Sequence, residues 1–130
     1  MILDASALVA IALREPGWEG LRDAVGYDPS PGVGAPTLVE TAIVLVGRIG
    51  PTARIVLNRL LEDGEVEVLP FERDHWPLAL DAFNRYGKGR HPAGLNLGDC
   101  FTYATARAAG EPLLCLGDDF ALTDLEVVPL

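Results

Sequence analysis

The sequence predicts an α/β fold: a three-layer α/β/α sandwich around a central, mainly parallel sheet of four to five strands. Short apolar runs typical of strands alternate along the chain with longer stretches that have helical periodicity. Strands that are separated by helices pair in parallel, and the helices then cover both faces of the sheet. The chain contains no linker, repeat or low-complexity segment, so we expect residues 1–130 to form a single domain.

The individual elements follow from their apolar pattern and from the glycine and proline residues between them. Pro36 favours a helix start after the second strand, Gly50-Pro51 separates two helices, and Gly110 ends the helix before the fourth strand. The predicted strands cover 1–3, 33–35, 66–69, 113–116 and 127–128, and the predicted helices cover 5–13, 18–25, 38–49, 52–62, 73–86 and most of 96–110.

The composition excludes several classes of protein. Hydrophobic residues make up 49% of the chain, which is too many for a disordered protein. No apolar run approaches the ~20 residues of a membrane span, and Asp4 follows the first three residues directly, so we expect no signal peptide. Cys100 and Cys115 lack the spacing of a zinc site or a disulfide framework. These features predict a cytoplasmic protein with two buried thiols and no membrane partner.

The net charge of −9 restricts how the protein can bind nucleic acid. Only ten residues are lysine or arginine, and Lys88 is the single lysine. Binding through bulk charge is therefore not expected, because phosphate contacts need Lys and Arg. A nuclease whose carboxylates are masked by divalent cations or by a basic partner remains compatible with this charge.

Isolated acidic residues lie close to the ends of the predicted strands. Asp4 directly follows the first strand, and Asp118 and Asp119 directly follow the fourth. Asp99 opens the helix that leads into the fourth strand, and Glu40 lies early in the helix after the second. In parallel sheets, ligands bind beyond the carboxyl ends of the strands, where the chain order reverses. If the first and fourth strands are neighbours, these acids meet in one cleft.

Most of these acids also have a purely structural interpretation. Thr37-x-x-Glu40 has the spacing of a capping box, and Asp99 could cap its helix together with Asn96 or favour its dipole. The two acids after the fourth strand follow a glycine, which is typical of a turn and N-cap. Asp4 is the hardest to explain in this way, because an unpaired carboxylate within an apolar segment is costly.

The acids as a set indicate a divalent cation. Converging carboxylates repel one another unless a cation lies between them. Oxygen ligands select hard cations, so we expect Mg²⁺, with Mn²⁺ as a substitute. Such a cation activates water for in-line attack on phosphorus. This chemistry needs no histidine, which agrees with the isolated positions of His75 and His91.

Four segments of the sequence resemble a known family. They are MILDASALVA (1–10), PTLVETAIVL (36–45), GKGRHPAGLNLGDCF (87–101) and GDDFALTD (117–124). In order and spacing they resemble the PIN-domain ribonucleases and, more narrowly, the VapC toxins of bacterial toxin–antitoxin pairs. The resemblance covers nearly the whole chain, and the segment 87–101 is its most specific part.

The resemblance implies roles for particular residues. The four acids that would line the catalytic cleft are Asp4, Glu40, Asp99 and Asp119. Of these, Asp4 and Asp99 match the direct Mg²⁺ ligands of the family. Asp118 matches a variable polar position of the final turn and is given only a supporting role beside Asp119. Ser6 matches a small hydroxyl residue that holds a metal-bound water or orients Asp4.

The resemblance also implies an activity and partners. The activity is that of an endoribonuclease toxin that cuts structured RNA, such as tRNA or ribosomal RNA. The partners are a VapB-like antitoxin and a second copy of the chain in a homodimer. Apolar positions near Trp18 and Leu21 could seat an antitoxin helix, and basic antitoxin residues could enter the acidic cleft. The alternative is that Trp18 only packs on the core.

One cluster of basic residues lies next to Asp99 in the sequence. Since phosphate contacts fix the register of a nucleic acid without reading its sequence, we expect this cluster to hold the RNA strand. A solvated surface loop is the alternative. The cluster consists of Arg85, Lys88, Arg90 and His91.

Three other functions fit the sequence less well. A receiver-type phosphoacceptor domain needs a lysine at the end of a late strand, whereas Lys88 lies in a predicted loop. An aspartyl-phosphate phosphatase needs Asp-x-Asp after the first strand, where this chain has Asp4-Ala5-Ser6. A PIN fold that acts as a binding partner, with an idle metal site, is the third possibility. The complete set of acids disfavours it.

Overall fold

The centre of the molecule is a four-stranded parallel sheet. The computed structural model describes residues 1–130. The strands lie in the order β3-β2-β1-β4, and all three neighbouring pairs are parallel. The predicted α/β class and parallel sheet are therefore confirmed. The strands are β1 (Ile2–Leu3), β2 (Gly32–Gly34), β3 (Glu67–Leu69) and β4 (Leu113–Leu114).

Six α-helices and two short 3₁₀ turns, Gly50–Thr52 and Phe120–Leu122, connect and follow these strands. None of the helices is both long and apolar enough to cross a membrane. The helices are α1 (Ala5–Leu13), α2 (Trp18–Tyr27), α3 (Ala35–Ile49), α4 (Ala53–Asp63), α5 (His75–Tyr86) and α6 (Leu97–Ala109).

The sheet separates two hydrophobic clusters, as the three-layer prediction requires. Successive residues of a strand point to opposite faces. Ile2 and Leu113 accordingly belong to the cluster that contains residues of α5 and α6, such as Tyr103. Leu3 and Leu114 belong to the cluster that contains residues of α1 and α2. Helices therefore cover both faces of the sheet.

Helix α3 begins earlier than the sequence predicted, and this changes the interpretation of Thr37. The helix starts at Ala35 with Gly34 as its N-cap, so Thr37 lies inside the first turn and Glu40 in the second. The Thr37 hydroxyl is buried and forms a hydrogen bond with that of Thr102. The predicted capping box between Thr37 and Glu40 is therefore wrong, and Glu40 is not held by a cap.

The predicted fifth strand is reduced to a single bridge. Val127 forms an isolated parallel bridge with Leu113. The Leu113 N–H donates to the carbonyl of Glu126, and its carbonyl accepts from Val128. The terminal segment thus covers the edge of β4 without extending the ladder, and the sheet has four strands.

Candidate active site

The strand order places one crevice at the carboxyl ends of β1 and β4. The chain runs from β1 outward through β2 to β3 and then returns to β4 on the other side of β1. Ligands of open parallel sheets bind at such a reversal of strand order. The neighbour relation between β1 and β4, on which convergence of the acids depended, is confirmed by the pairing of Leu3 with Leu114.

Asp4 lies at the base of this crevice and is held by three hydrogen bonds. It is the N-cap of α1 and only 6% exposed. Its Oδ2 accepts from the backbone N–H of Ser6 at 3.0 Å and from the Ser6 hydroxyl at 2.6 Å. Its Oδ1 accepts from the Thr102 hydroxyl at 2.9 Å. A carboxylate offers about four lone-pair sites, so Asp4 retains one acceptor site on Oδ1.

Two buried threonines that the sequence analysis missed extend this network. The Thr37 and Thr102 hydroxyl oxygens are 3.0 Å apart. Because Thr102 uses its only proton on Asp4, the Thr37 hydroxyl is the donor of the second bond. The sequence did contain a signal: Thr102 follows Asp99 by three residues, which places both on one side of a helix.

Ser6 connects the Asp4 carboxylate to the loop after β4. While its hydroxyl donates to Asp4, its oxygen accepts from the backbone N–H of Leu116 at 3.0 Å. Leu116 immediately precedes the turn that carries Asp118 and Asp119. Ser6 therefore contacts the residue that it was expected to orient, and also fixes the start of the acidic turn.

Asp99 belongs to a capping box and still faces the crevice. Its backbone N–H donates to the Asn96 side chain at 2.9 Å, and its Oδ2 accepts from the Asn96 backbone N–H at 3.0 Å. Burial raises the pKa of Asp99, the Asn96 hydrogen bond lowers it, and the charges of Asp4 and Asp119 raise it, with a net upward shift. Asp99 therefore caps its helix and also lies within the electrostatic reach of the other acids.

Glu40 reaches the same place from α3. Burial raises its pKa, and repulsion from Asp4 and then from Asp99 raises it further. No hydrogen bond or positively charged side chain lowers the pKa of Glu40. The Glu40 carboxylate lies directly against the backbone of Gly98, in the first turn of α6.

The final turn brings two exposed acids to the rim of the crevice. The charge of Asp119 acts on Asp99, whereas that of Asp118 is not among the causes of the Asp99 shift. Burial raises the pKa of the Cys115 thiol to about 12, with added repulsion from carboxylates that include both turn residues. Asp4, Glu40, Asp99 and Asp119 are therefore linked by mutual repulsion, and both acids of the final turn act on Cys115.

The arrangement suits a cation that keeps part of its water shell. No three His, Cys, Asp or Glu side chains are positioned to hold one ion jointly. None of the ion pairs of the structure involves any of the four acids. Mg²⁺ is usually bound through only one or two carboxylates together with waters and substrate phosphate. Asp4 and Asp99 provide carboxylates of this kind, so the donor set fits Mg²⁺.

Two residues of the predicted RNA-binding cluster have partners within the chain. Lys88 and Arg90 are exposed, and the Arg90 guanidinium lies 5.2 Å from the centre of the Phe83 ring. Arg85 is exposed as well, and it pairs with Asp124 at 3.3 Å. His91 accepts a hydrogen bond from the Ala93 N–H at Nδ1. Arg85 and His91 thus each have a partner in the chain, whereas Lys88 and Arg90 form no ion pair.

The predicted antitoxin surface also needs a correction. Leu21 is fully buried in the core between α2 and the sheet, so it is not a surface contact. Trp18 is half-buried and lies between the guanidinium groups of Arg14 and Arg22, at 5.3 and 5.0 Å from its ring centre. It lines a groove between α1, α2 and α4 with a volume of about 620 Å³.

The fold and the crevice define an α/β protein with a carboxylate cluster at the switch point of a parallel sheet. Residues 1–125 match the model of the PIN domain family, and the chain belongs to this family. It is 46% identical over 127 residues to ribonuclease VapC36 of Mycobacterium tuberculosis, an alignment that covers 97% of this chain and 91% of that protein. The predicted resemblance to PIN-domain ribonucleases of the VapC type is therefore confirmed.

Solved structures show the same fold. VapC20 of Mycobacterium tuberculosis, described as a toxin that cleaves the sarcin–ricin loop, superimposes with a TM-score of 0.78 at 20% identity and covers 98% of both chains. VapBC2 of Rickettsia felis, bound to a DNA fragment from its promoter, gives a TM-score of 0.76 at 12% identity, covering 98% of this chain and 96% of the other.

Proposed function

We propose that this protein is a Mg²⁺-dependent endoribonuclease toxin that cuts structured RNA, such as tRNA or ribosomal RNA, in the cytoplasm. Mn²⁺ would substitute for Mg²⁺, and a VapB-like antitoxin would neutralise the activity. The observation that carries the proposal is the convergence of Asp4, Glu40, Asp99 and Asp119, without a basic partner, in a chain whose relatives are ribonucleases.

The side chains of the crevice would have different roles in this reaction. A bound divalent cation would neutralise charge on the phosphate and activate water. Asp4 and Asp99 would hold that cation, and Ser6 and Thr102 would keep Asp4 in one orientation through their hydrogen bonds. Glu40 has a raised pKa, and a general base works best when its pKa lies near the operating pH. It is suited to accept the proton of the attacking water.

The test is cleavage of total RNA by antitoxin-free protein, with the cut ends mapped by sequencing. We expect discrete cuts with Mg²⁺ or Mn²⁺ that disappear with EDTA and in Asp99→Asn and Asp119→Asn. Asp118→Asn is the matched control, because it removes one charge from the same turn and should keep the cutting pattern. Folded protein that cuts nothing with either metal would instead support a binding-only PIN domain.

RNA contacts are assigned to Lys88 and Arg90, the two exposed residues of the basic cluster that form no ion pair. Lys88 and Arg90 carry positive charge in the loop that leads into α6 and Asp99, and phosphate contacts need such residues. Arg90→Ala should weaken RNA binding and leave Mg²⁺ affinity intact. Equal RNA binding by wild type and Arg90→Ala would contradict this assignment.

The groove beside Trp18 is assigned to the antitoxin. Apolar residues of three helices line it, among them Ile11, Ile55 and Leu60. Such a groove suits the apolar face of an amphipathic helix. Three arginines, Arg14, Arg22 and Arg59, line it together with two acids, Asp23 and Asp63, so the lining carries one excess positive charge. The antitoxin segment should therefore carry acidic residues beside its apolar ones.

The homodimer is assigned to the outer face of α3. Val39, Ile43 and Val46 are 59, 66 and 56% exposed, and their spacing forms one stripe along the helix. Leu97 of α6, 71% exposed, borders the same surface beside Glu40. An exposed apolar stripe of this kind marks an interface. Ile43→Lys should convert the dimer into a monomer in light scattering; an unchanged mass would contradict this surface.

A further inference from the structure

We propose that Gly98 is a positioning residue: because it has no side chain, the Glu40 carboxylate can rest against its backbone. We call this contact the seat of Glu40. This inference rests on the proposed ribonuclease function and adds a residue to its machinery. It concerns a contact between α3 and the first turn of α6, two elements that arrive in the crevice from different parts of the chain.

The Glu40 carboxylate, at the end of a flexible side chain, occupies the space that a side chain at position 98 would need, so a larger residue there has to displace it. A Cβ atom built on Gly98 would lie 2.0 Å from Glu40 Oε2, 2.7 Å from Cδ and 2.9 Å from Oε1. All three distances are shorter than about 3.5 Å, the lower end of the optimal separation between non-bonded carbon atoms. The three nearest atoms all belong to the Glu40 carboxylate. The carboxylate therefore occupies the volume that any other residue would fill.

The backbone conformation does not require glycine here. Gly98 is not among the glycines with positive φ, and it lies within a regular helix. Glycine in a helix is less favourable than alanine, so conformation and propensity would both favour a larger residue. The close approach of the Glu40 carboxylate is the feature that needs glycine.

The seat has an electrostatic consequence for Glu40. Burial and two neighbouring carboxylates disfavour its charge, whereas the N-terminus of a helix carries a partial positive charge. The Glu40 carboxylate lies against the second residue of α6, where this partial charge is concentrated. An alanine would force the carboxylate away by at least about 1 Å, and displacements of that size can reduce turnover ~100-fold.

The variant Gly98→Ala tests the inference, with Gly20→Ala as the matched control. Gly20 lies in α2, and nothing lies within 4 Å of a Cβ built there. We expect Gly98→Ala to lose about 100-fold in kcat, with little change in KM for RNA, and to keep its Tm. Gly20→Ala should keep wild-type kcat.

A double-mutant cycle separates positioning of Glu40 from a general structural effect. In a Glu40→Gln background, Gly98→Ala should cost nothing further, because both changes remove the same interaction. Additive losses would overturn the inference. A wild type that cuts RNA and a Gly98→Ala variant of equal kcat would overturn it while leaving the proposed function intact.

The crystal structure of Gly98→Ala provides a readout that does not depend on activity. The Glu40 carboxylate should be displaced while Asp99 keeps its bonds to Asn96. An undisplaced carboxylate would overturn the inference. This readout applies even if the wild type cuts no RNA and the proposed function is therefore wrong.

Discussion

Replacing Thr102 by valine tests how Asp4 is held. Thr102 has no solvent exposure, and its hydroxyl is the only donor to Asp4 Oδ1. Valine has a similar shape and removes only the hydroxyl. The change leaves one carboxylate oxygen without its donor, and it leaves the buried hydroxyl of Thr37 without its acceptor.

The expected loss of stability follows from these two bonds. A hydrogen bond to a charged group contributes about 1.5–3 kcal/mol, and a buried donor without a partner costs about 1 kcal/mol or more. The free energy of unfolding should therefore fall by about 3 kcal/mol. In a domain of this length that corresponds to a decrease in Tm of about 10 °C.

Thermal and urea unfolding of metal-free protein measure this loss, with Thr41→Val as the matched control. Thr41 is equally buried, but its hydroxyl donates to the Thr37 carbonyl within its own helix. Its removal leaves that carbonyl with its helical partner, so the expected loss is below about 1 kcal/mol. RNA cleavage by Thr102→Val should also fall, because Asp4 loses its fixed orientation.

Equal losses in the two variants would refute this reasoning. They would mean that removing any buried threonine hydroxyl costs the same stability, and that the hydrogen bond to Asp4 adds nothing to the loss. Unchanged cleavage by Thr102→Val would refute the functional part separately.

Three further predictions concern other parts of the molecule. Burial would raise the pKa of Asp124, but the Tyr103 hydroxyl and two guanidinium groups give it a net downward shift. The charged Asp124 therefore stabilises the fold above about pH 4, and this stabilisation is lost as the pH falls further. The Tm difference between wild type and Asp124→Asn should shrink between pH 6 and pH 3. The raised pKa of Glu40 means that its charge destabilises the fold at neutral pH, so Glu40→Gln should raise the Tm in EDTA, and a lowered Tm would contradict the repulsion. Trp18→Ala should weaken antitoxin binding at least tenfold in calorimetry, and undiminished affinity would place the antitoxin elsewhere.

The sequence predicted the element types well because local patterns determine them. The six helices and the four strands all occur where apolar periodicity and glycine or proline residues indicated them. The errors are the predicted fifth strand, of which only the Val127 bridge is present, and some boundaries. Helix α3 begins three residues before the predicted start, because Pro36 is tolerated within the first turn of a helix.

The sequence did not reveal which polar and apolar side chains are used inside the fold. Leu21 resembles Trp18 as an apolar residue of α2, yet only the packing of α2 on the sheet shows that Leu21 is buried. Arg85 belongs to the basic cluster in sequence, but Asp124 lies close enough in space to pair with it. Such contacts join residues far apart in the chain, and local spacing carries no information about them.

The sequence by itself determined the α/β class and the family resemblance, and it supplied the four candidate acids, because these depend on residue types and on local order. Only the tertiary structure decided that β1 lies between β2 and β4, which brings Asp4 and the turn after β4 to one crevice. It also decided that Thr102, 98 positions along the chain, donates to Asp4, and that the Glu40 carboxylate rests on Gly98. The physical reason is that the pairing of strands and the packing of helices set these distances, and both are long-range interactions.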